Sequence, residues 1–145
     1  MRACQLTQRS AVATCCVARF QEAYEGYGAA LRILGYWDAT NISMTSKLLC
    51  NRAIAALKLQ RFEYAVQDAS AALFFNPQYA KAYATRAAAH VELQRFREAE
   101  KDYEHAIELE PWEREHARQL SHVKQQLSQQ EAEKDDNGGN KSASK

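Results

Sequence analysis

Residues 51–77 read NRAIAALKLQRFEYAVQDASAALFFNP and residues 85–111 read TRAAAHVELQRFREAEKDYEHAIELEP. The two stretches align thirty-four residues apart. Arg52, Ala53, Leu59, Gln60, Arg61, Phe62, Ala65, Asp68, Ala72 and Pro77 recur as Arg86, Ala87, Leu93, Gln94, Arg95, Phe96, Ala99, Asp102, Ala106 and Pro111. A self-match at this fixed period predicts a repeat array whose unit is a helix–turn–helix. Such a unit cannot bury its apolar face alone, so its neighbours must stack on it. The fold class that follows is all-α.

With the proline of each unit set at position 32, residue 46 is position 1 of one unit and residue 80 is position 1 of the next. Helix A is then expected over positions 2–14 and helix B over 18–31. Leu49 and Tyr83 hold position 4, where a large side chain caps the helix pair. Ala53 and Ala87 hold position 8, Ala65 and Ala99 position 20, and Ala72 and Ala106 position 27. Small side chains are needed there because helices A and B cross, and a bulky group would hold the backbones apart. Phe62 and Phe96 open helix B and plug the gap between units. Pro77 and Pro111 end helix B, since proline cannot continue the hydrogen-bond ladder. These landmarks resemble the tetratricopeptide pattern W-x₂-L-G-x₂-Y, A-x₃-F and P. Leu49 or Tyr83 stands in its tryptophan place, Arg52 or Arg86 in its leucine place, and Ala69 or Tyr103 at its second aromatic. The resemblance implies a right-handed α-solenoid of stacked units with a C-terminal capping helix.

A weaker copy lies upstream. RFQEAYEGYGAAL at 19–31 aligns with RFEYAVQDASAAL at 61–73, so Phe20, Ala23 and Ala30 match Phe62, Ala65 and Ala72. The offset is forty-two residues, one period plus eight, and the surplus falls in 35–46 as a longer loop or an extended helix. The expected division is a divergent segment over 1–19 standing for a degraded first helix A, a partial first unit over 20–45, and full units over 46–79 and 80–113. A capping helix over 112–133 and a disordered tail over 134–145 complete it. Trp112, His116, Leu120, Val123 and Leu127 recur at helical steps on one face of that cap. The tail DDNGGNKSASK has no apolar residue larger than alanine.

Composition narrows the function classes. The chain has 145 residues, 26% of them charged, and a formal net charge of +1. No global field therefore draws it to nucleic acid or to a membrane, and no run of ~18 apolar residues suits a membrane span. Cys4, Cys15, Cys16 and Cys50 form no C-x-x-C pair, and His116 and His122 are six apart on different faces. No metal site, no disulfide framework and no cofactor is expected. Scattered free thiols fit a cytoplasmic or nuclear compartment. An acid-free start carrying Arg2, Arg9 and Arg19 makes mitochondrial targeting the minor alternative. No Gly-rich phosphate loop, paired carboxylates or Cys–His arrangement marks an enzyme, so no catalytic residue is assigned. Cys50, with Lys47 three residues away, is the one thiol in a groove, and no base stands by to activate it.

In a stacked array the A helices line the concave face. Groove positions 2, 5, 6, 9, 12 and 13 are Lys47, Cys50, Asn51, Ile54, Leu57 and Lys58 in one unit. In the next they are Lys81, Ala84, Thr85, Ala88, Val91 and Glu92. Lys47 and Asn51 share a helix face, and Lys81 and Thr85 repeat that geometry. The candidate peptide-binding residues are thus Lys47, Asn51, Lys58, Lys81 and Thr85 over a small apolar floor, which suits an extended acidic peptide.

FQEAYEGYGAAL, SKLLCNRA and YAKAYATRAAAH resemble the tetratricopeptide region of J-domain co-chaperones, over about residues 19–130. The resemblance implies a non-catalytic, chaperone-associated adaptor. Its partner would be the C-terminal Glu-Glu-Val-Asp tail of cytosolic heat-shock chaperones, held by a carboxylate clamp. Asn51 matches the clamp's second-helix Asn and Lys81 its third-helix Lys. Thr85 stands where the clamp has Arg, and Gln8 and Val12 stand at the first-helix positions. A weakened or altered peptide preference is the expectation. The J domain's His-Pro-Asp triplet is absent from these residues. With the poor first helix, that points to a shortened family member, a splice product or an incomplete gene model. The alternative function is a self-associating scaffold, whose incomplete first unit leaves apolar surface for dimerisation.

Overall fold

The computed structural model describes residues 2–34 and 41–139, with side chains over 16–34 and 41–136. Among these residues the elements are six helices: α1 (Arg2–Leu34), α2 (Ile42–Lys58), α3 (Phe62–Phe75), α4 (Ala80–Glu92), α5 (Phe96–Leu109) and α6 (Arg114–Gly139). Each packs on the next in chain order, and α2 also touches α4. This is the stacking of an α-solenoid. Pairs α2–α3 and α4–α5 are the two repeat units, and α2 and α4 are their A helices.

The repeat fixes where helices A stop. Gln60 and Gln94 take φ of 59° and 58°, the left-handed region. Gln60 donates its N–H to the Leu57 carbonyl at 3.0 Å and Arg61 donates to Ala56 at 2.9 Å. Gln94 and Arg95 donate in the same way to Val91 at 3.0 Å and His90 at 2.8 Å. This is a Schellman cap, which satisfies the last carbonyls of a helix and turns the chain back. Helices B end on Asn76 and Glu110, whose N–H groups still reach Ala72 and Ala106 at 2.9 Å. The prolines that follow cannot donate, and the helices stop.

The crossing positions pack as the alanines require. Ala53, Ala65, Ala72, Ala87, Ala99 and Ala106 are all fully buried. Leu31, Leu49, Cys50, Ala72, Leu73 and Ala82 form one cluster spanning α1 to α4. Ala87, Ala99, Tyr103 and Val123 form another across α4, α5 and α6. Tyr24 of α1 lies beneath two guanidiniums, Arg52 at 5.7 Å and Arg61 at 5.5 Å from its ring centre.

Three expectations change. The first unit has no turn between its helices: α1 is continuous through residues 17–20. The Gln60 and Gln94 position is held there by Ala18. Alanine favours the helix most and has no advantage in the left-handed region, so the helix continues. The surplus before residue 46 takes in part the second of its two expected forms, an extended helix, because α2 starts at Ile42; residues 35–40 lie outside the described residues. The capping helix starts at Arg114 and runs to Gly139, past the expected end at 133. EAEKDD holds no proline and mostly straight-chain residues, so nothing stops it at 134. Trp112 sits before α6 and is 74% exposed, off the apolar face to which the spacing had assigned it. Val123 supplies that face, fully buried, with Leu120 beside it.

Candidate functional site

The candidate site is the groove between α2 and α4. The structure joins the two A helices at both ends of it. At one end Cys50 Sγ lies 3.9 Å from Thr85 Oγ1. Tyr79 and Lys81 act on the same thiol, Tyr79 through a hydrogen bond and Lys81 through its charge. At the other end a cavity of about 210 Å³ is lined by Ile54, Leu57, Lys58, Phe62, Ala88 and Glu92. Five of these six residues are groove positions read from the repeat, and Phe62 is the sixth.

Lys47, Lys58 and Lys81 are exposed and Asn51 is half-buried. Among the described residues none of the three lysines is ion-paired, and the Asn51 amide has no hydrogen bond. Glu92 is the one carboxylate lining the cavity with Lys58. Thr85 is different. It is buried, and its hydroxyl donates to the Lys81 carbonyl at 2.7 Å, one turn back on its own helix. It forms floor rather than a free polar group. Cys50 is fully buried too, and burial, outweighing the help of Thr85 and Lys81, pushes its thiol up. It is a packing residue and not an activated thiolate. Burial and the neighbouring Cys50 push the Tyr79 hydroxyl up to about 12, so it stays a neutral donor.

Gln8 and Val12 lie on the N-terminal half of α1, which runs on in line with residues 20–34. No folded-back first helix A presents those positions beside α2. The side chains of both fall outside the described residues.

What the sequence alone did not supply is the partner of the recurring arginines. Arg52 Nε and Nη2 donate to the two carboxylate oxygens of Asp68 at 2.8 and 2.6 Å. Arg86 grips Asp102 with the same two bonds and the same two lengths. Each fork ties helix A to helix B of its own unit, and it turns the arginine away from the groove. The hydrogen bond from Arg86 to Asp102 also strengthens the guanidinium's hold on its proton. The signal was in the sequence: Arg and Asp recur sixteen residues apart in both units. Asp102 has a second neighbour, His90, whose Nε2 lies 3.8 Å from Oδ2. Burial drives that imidazole down, and its Nδ1 has no partner. No group of three His, Cys, Asp or Glu side chains able to hold a metal occurs among the described residues. No helix among them is long and apolar enough to cross a membrane.

Comparison with known proteins agrees with this geometry. The tetratricopeptide repeat family model matches residues 80–111. A Dictyostelium discoideum protein described as a DnaJ homolog subfamily C member 7 homolog is 34% identical over 105 residues. That match covers 72% of this chain and 19% of the relative, so the chain spans about a fifth of that protein's length. The first TPR domain of human RPAP3 superposes with a TM-score of 0.71 at 34% identity, covering 79% of this chain and 84% of that one. The first TPR of Spaghetti (RPAP3), solved with the HSP90 peptide SRMEEVD bound, superposes with a TM-score of 0.69 at 34% identity, covering 77% and 82%. Repeat period, helix order and these likenesses lead to one conclusion: the chain belongs to the tetratricopeptide repeat family.

Proposed function

We propose that this chain is a non-catalytic, chaperone-associated adaptor that receives an extended acidic peptide in the groove between α2 and α4. The observation that carries the reading is the state of the groove's charges. Among the described residues Lys47, Lys58 and Lys81 form no ion pair, although Glu92 lines the cavity beside Lys58, whereas Arg52 and Arg86 are held by Asp68 and Asp102. Ammonium groups left free over an apolar floor await an anion from elsewhere. Lys81 would meet the terminal carboxylates, Asn51 would bond the peptide backbone, and the cavity beside Lys58 would take an apolar side chain further up the peptide. The Spaghetti domain bound to SRMEEVD supports this peptide class. A second neighbour, the second TPR domain of human RPAP3 in complex with the HSP70 peptide SGPTIEEVD, supports it as well.

Thr85 in place of an arginine and the in-line course of residues 2–19 remove contacts that a five-residue clamp would make. The proposed binding is therefore weak and strongly salt-dependent, since each lost charge-assisted bond costs about 1.5–3 kcal/mol. Calorimetric titration with an acetylated peptide ending in Glu-Glu-Val-Asp, at low and moderate salt, tests it. Binding that weakens with salt, and by about tenfold or more in Lys81→Ala, supports the reading. No heat with a folded chain, or binding indifferent to Lys81→Ala and Asn51→Ala, rejects it.

A further inference from the structure

The first unit has a helix B without a helix A upon it. In both complete units, positions 20 and 27 are sealed: Ala65, Ala72, Ala99 and Ala106 have no exposed surface. The matching residues of α1, Ala23 and Ala30, are only half-buried. Gly26 lies between them on the same helical stripe, and a Cβ built there meets nothing within 4 Å. Ile33, one turn further on, is 85% exposed. The opposite side of α1 is occupied, since Leu31 is buried and a Cβ on Gly28 would meet Arg52 at 3.7 Å. So one side of α1 packs on α2 through Leu31, leaving a cavity of about 470 Å³ beside Gly28 and Arg52, and the face that a regular unit covers with its own helix A is open.

The chain carries the segment that belongs there. Residues 2–19 occupy the sequence place of helix A, with Ala11 in the register of Ala53 and Ala87. The fork is missing from both of its ends at once. Ser10 stands where Arg52 and Arg86 stand, and Gly26 where Asp68 and Asp102 stand. Because α1 does not turn at Ala18, residues 2–19 are carried away from their own slot.

We infer that two copies exchange these segments: residues 2–19 of each chain fill the open face of residues 20–34 of the other. Helices A and B of a unit run antiparallel, so the two α1 helices would lie antiparallel along their length of about 50 Å. Ala18 is the midpoint of Arg2–Leu34, and it is also the position at which the other units turn. A two-fold axis beside Ala18 therefore gives each half of α1 the pairing that helices A and B have within a unit. Exchange of an identical element needs no new surface chemistry, which makes it a low-cost route to a dimer. The dimer uses the N-terminal edge of the array and leaves the α2–α4 groove free.

Analytical ultracentrifugation of the full chain over a range of concentrations tests the inference, beside two variants. Wild type is expected at twice the 16.4 kDa of one chain. Ala30→Arg places an unpaired guanidinium in an alanine-lined interface and should weaken the dimer by at least about tenfold. Val17→Asn with Ala18→Gly supplies the missing turn, lets residues 2–19 fold back on their own chain, and should give a monomer with unchanged helical circular dichroism. A wild-type chain that stays monomeric at ~200 µM, far above the micromolar range of specific association, overturns the inference. So does a dimer that survives the Val17→Asn, Ala18→Gly change. That second variant decides the matter if Ala30→Arg fails to fold.

Discussion

Removing either partner of the Arg86–Asp102 fork should be costly, and the two removals should not cost the same. The pair makes bonds of 2.8 and 2.6 Å with side-chain exposures of 24% for Arg86 and 7% for Asp102. Arg86→Ala strands an almost buried carboxylate. Its other neighbour is His90 Nε2 at 3.8 Å, on an imidazole whose pKa burial lowers, so it is a poor substitute for the guanidinium. Breaking a buried pair this way costs about 3–4 kcal/mol. Asp102→Ala leaves a guanidinium that keeps its bond to Ser70 Oγ at 3.2 Å and its seat over the Tyr83 ring. It also reaches solvent, so the loss is nearer ~2 kcal/mol. In the double variant neither charge is stranded, and the coupling should be about 2 kcal/mol. At ~4 °C per kcal/mol for a domain of this size, Arg86→Ala lowers Tm by ~12–16 °C. Urea unfolding of wild type, both single variants and the double variant measures the cycle. A coupling below ~0.5 kcal/mol, the value of an exposed ion pair, would show that the fork does not act as a buried pair.

Three further predictions rest on single residues. His90 has a folded-state pKa below its ordinary 6.5, chiefly through burial. The unfolded chain therefore binds the proton more readily, and stability falls as pH drops below 6.5. In His90→Ala, which puts at this position the residue that the other unit has in Ala56, Tm should change less between pH 7.5 and 5. Equal slopes for the two proteins would show that His90 is not the titrating group. Gln94 at φ 58° bears the left-handed cost of a side chain. Gln94→Gly should stabilise by about 0.5–1 kcal/mol in thermal unfolding, and destabilisation would count against the strain. Finally, Cys16 is exposed and Cys50 buried. A disulfide reagent at neutral pH should label Cys16 at an ordinary rate and Cys50 only on unfolding. Fast labelling of Cys50 would show that the α2–α4 junction opens.

The parts legible in the sequence are those that repeat. Alanine at the crossings, glutamine at the turn and proline after helix B each leave the same mark twice, and α2 to α5 follow from them. The groove was legible for the same reason, because position in a unit decides which way a side chain faces. Ile54, Leu57, Lys58, Ala88 and Glu92 duly share one cavity. The failures came where a side chain's partner or backbone angle, rather than its place in the unit, decided the outcome. Ala18 replaces a glutamine, and only the geometry of Gln60 and Gln94 reveals that the substitution removes a turn. Thr85 sits at a groove position, yet a threonine hydroxyl in a helix can bond its own backbone one turn back, and burial made that bond the favoured one. The forks were visible as a recurring Arg and Asp, but their meaning needed helices A and B side by side.

On the proposed function, the groove between α2 and α4 receives the acidic peptide. The most direct test is amide chemical-shift mapping of isotope-labelled chain titrated with the acetylated Glu-Glu-Val-Asp peptide. Saturable shifts are expected at Lys47, Asn51, Lys81, Ala84 and Ala88, with the outer residues of helices B, such as Tyr64, Gln67 and Lys101, unmoved. Shifts centred on α3, α5 or α1, or none in a folded chain at peptide excess, would contradict it.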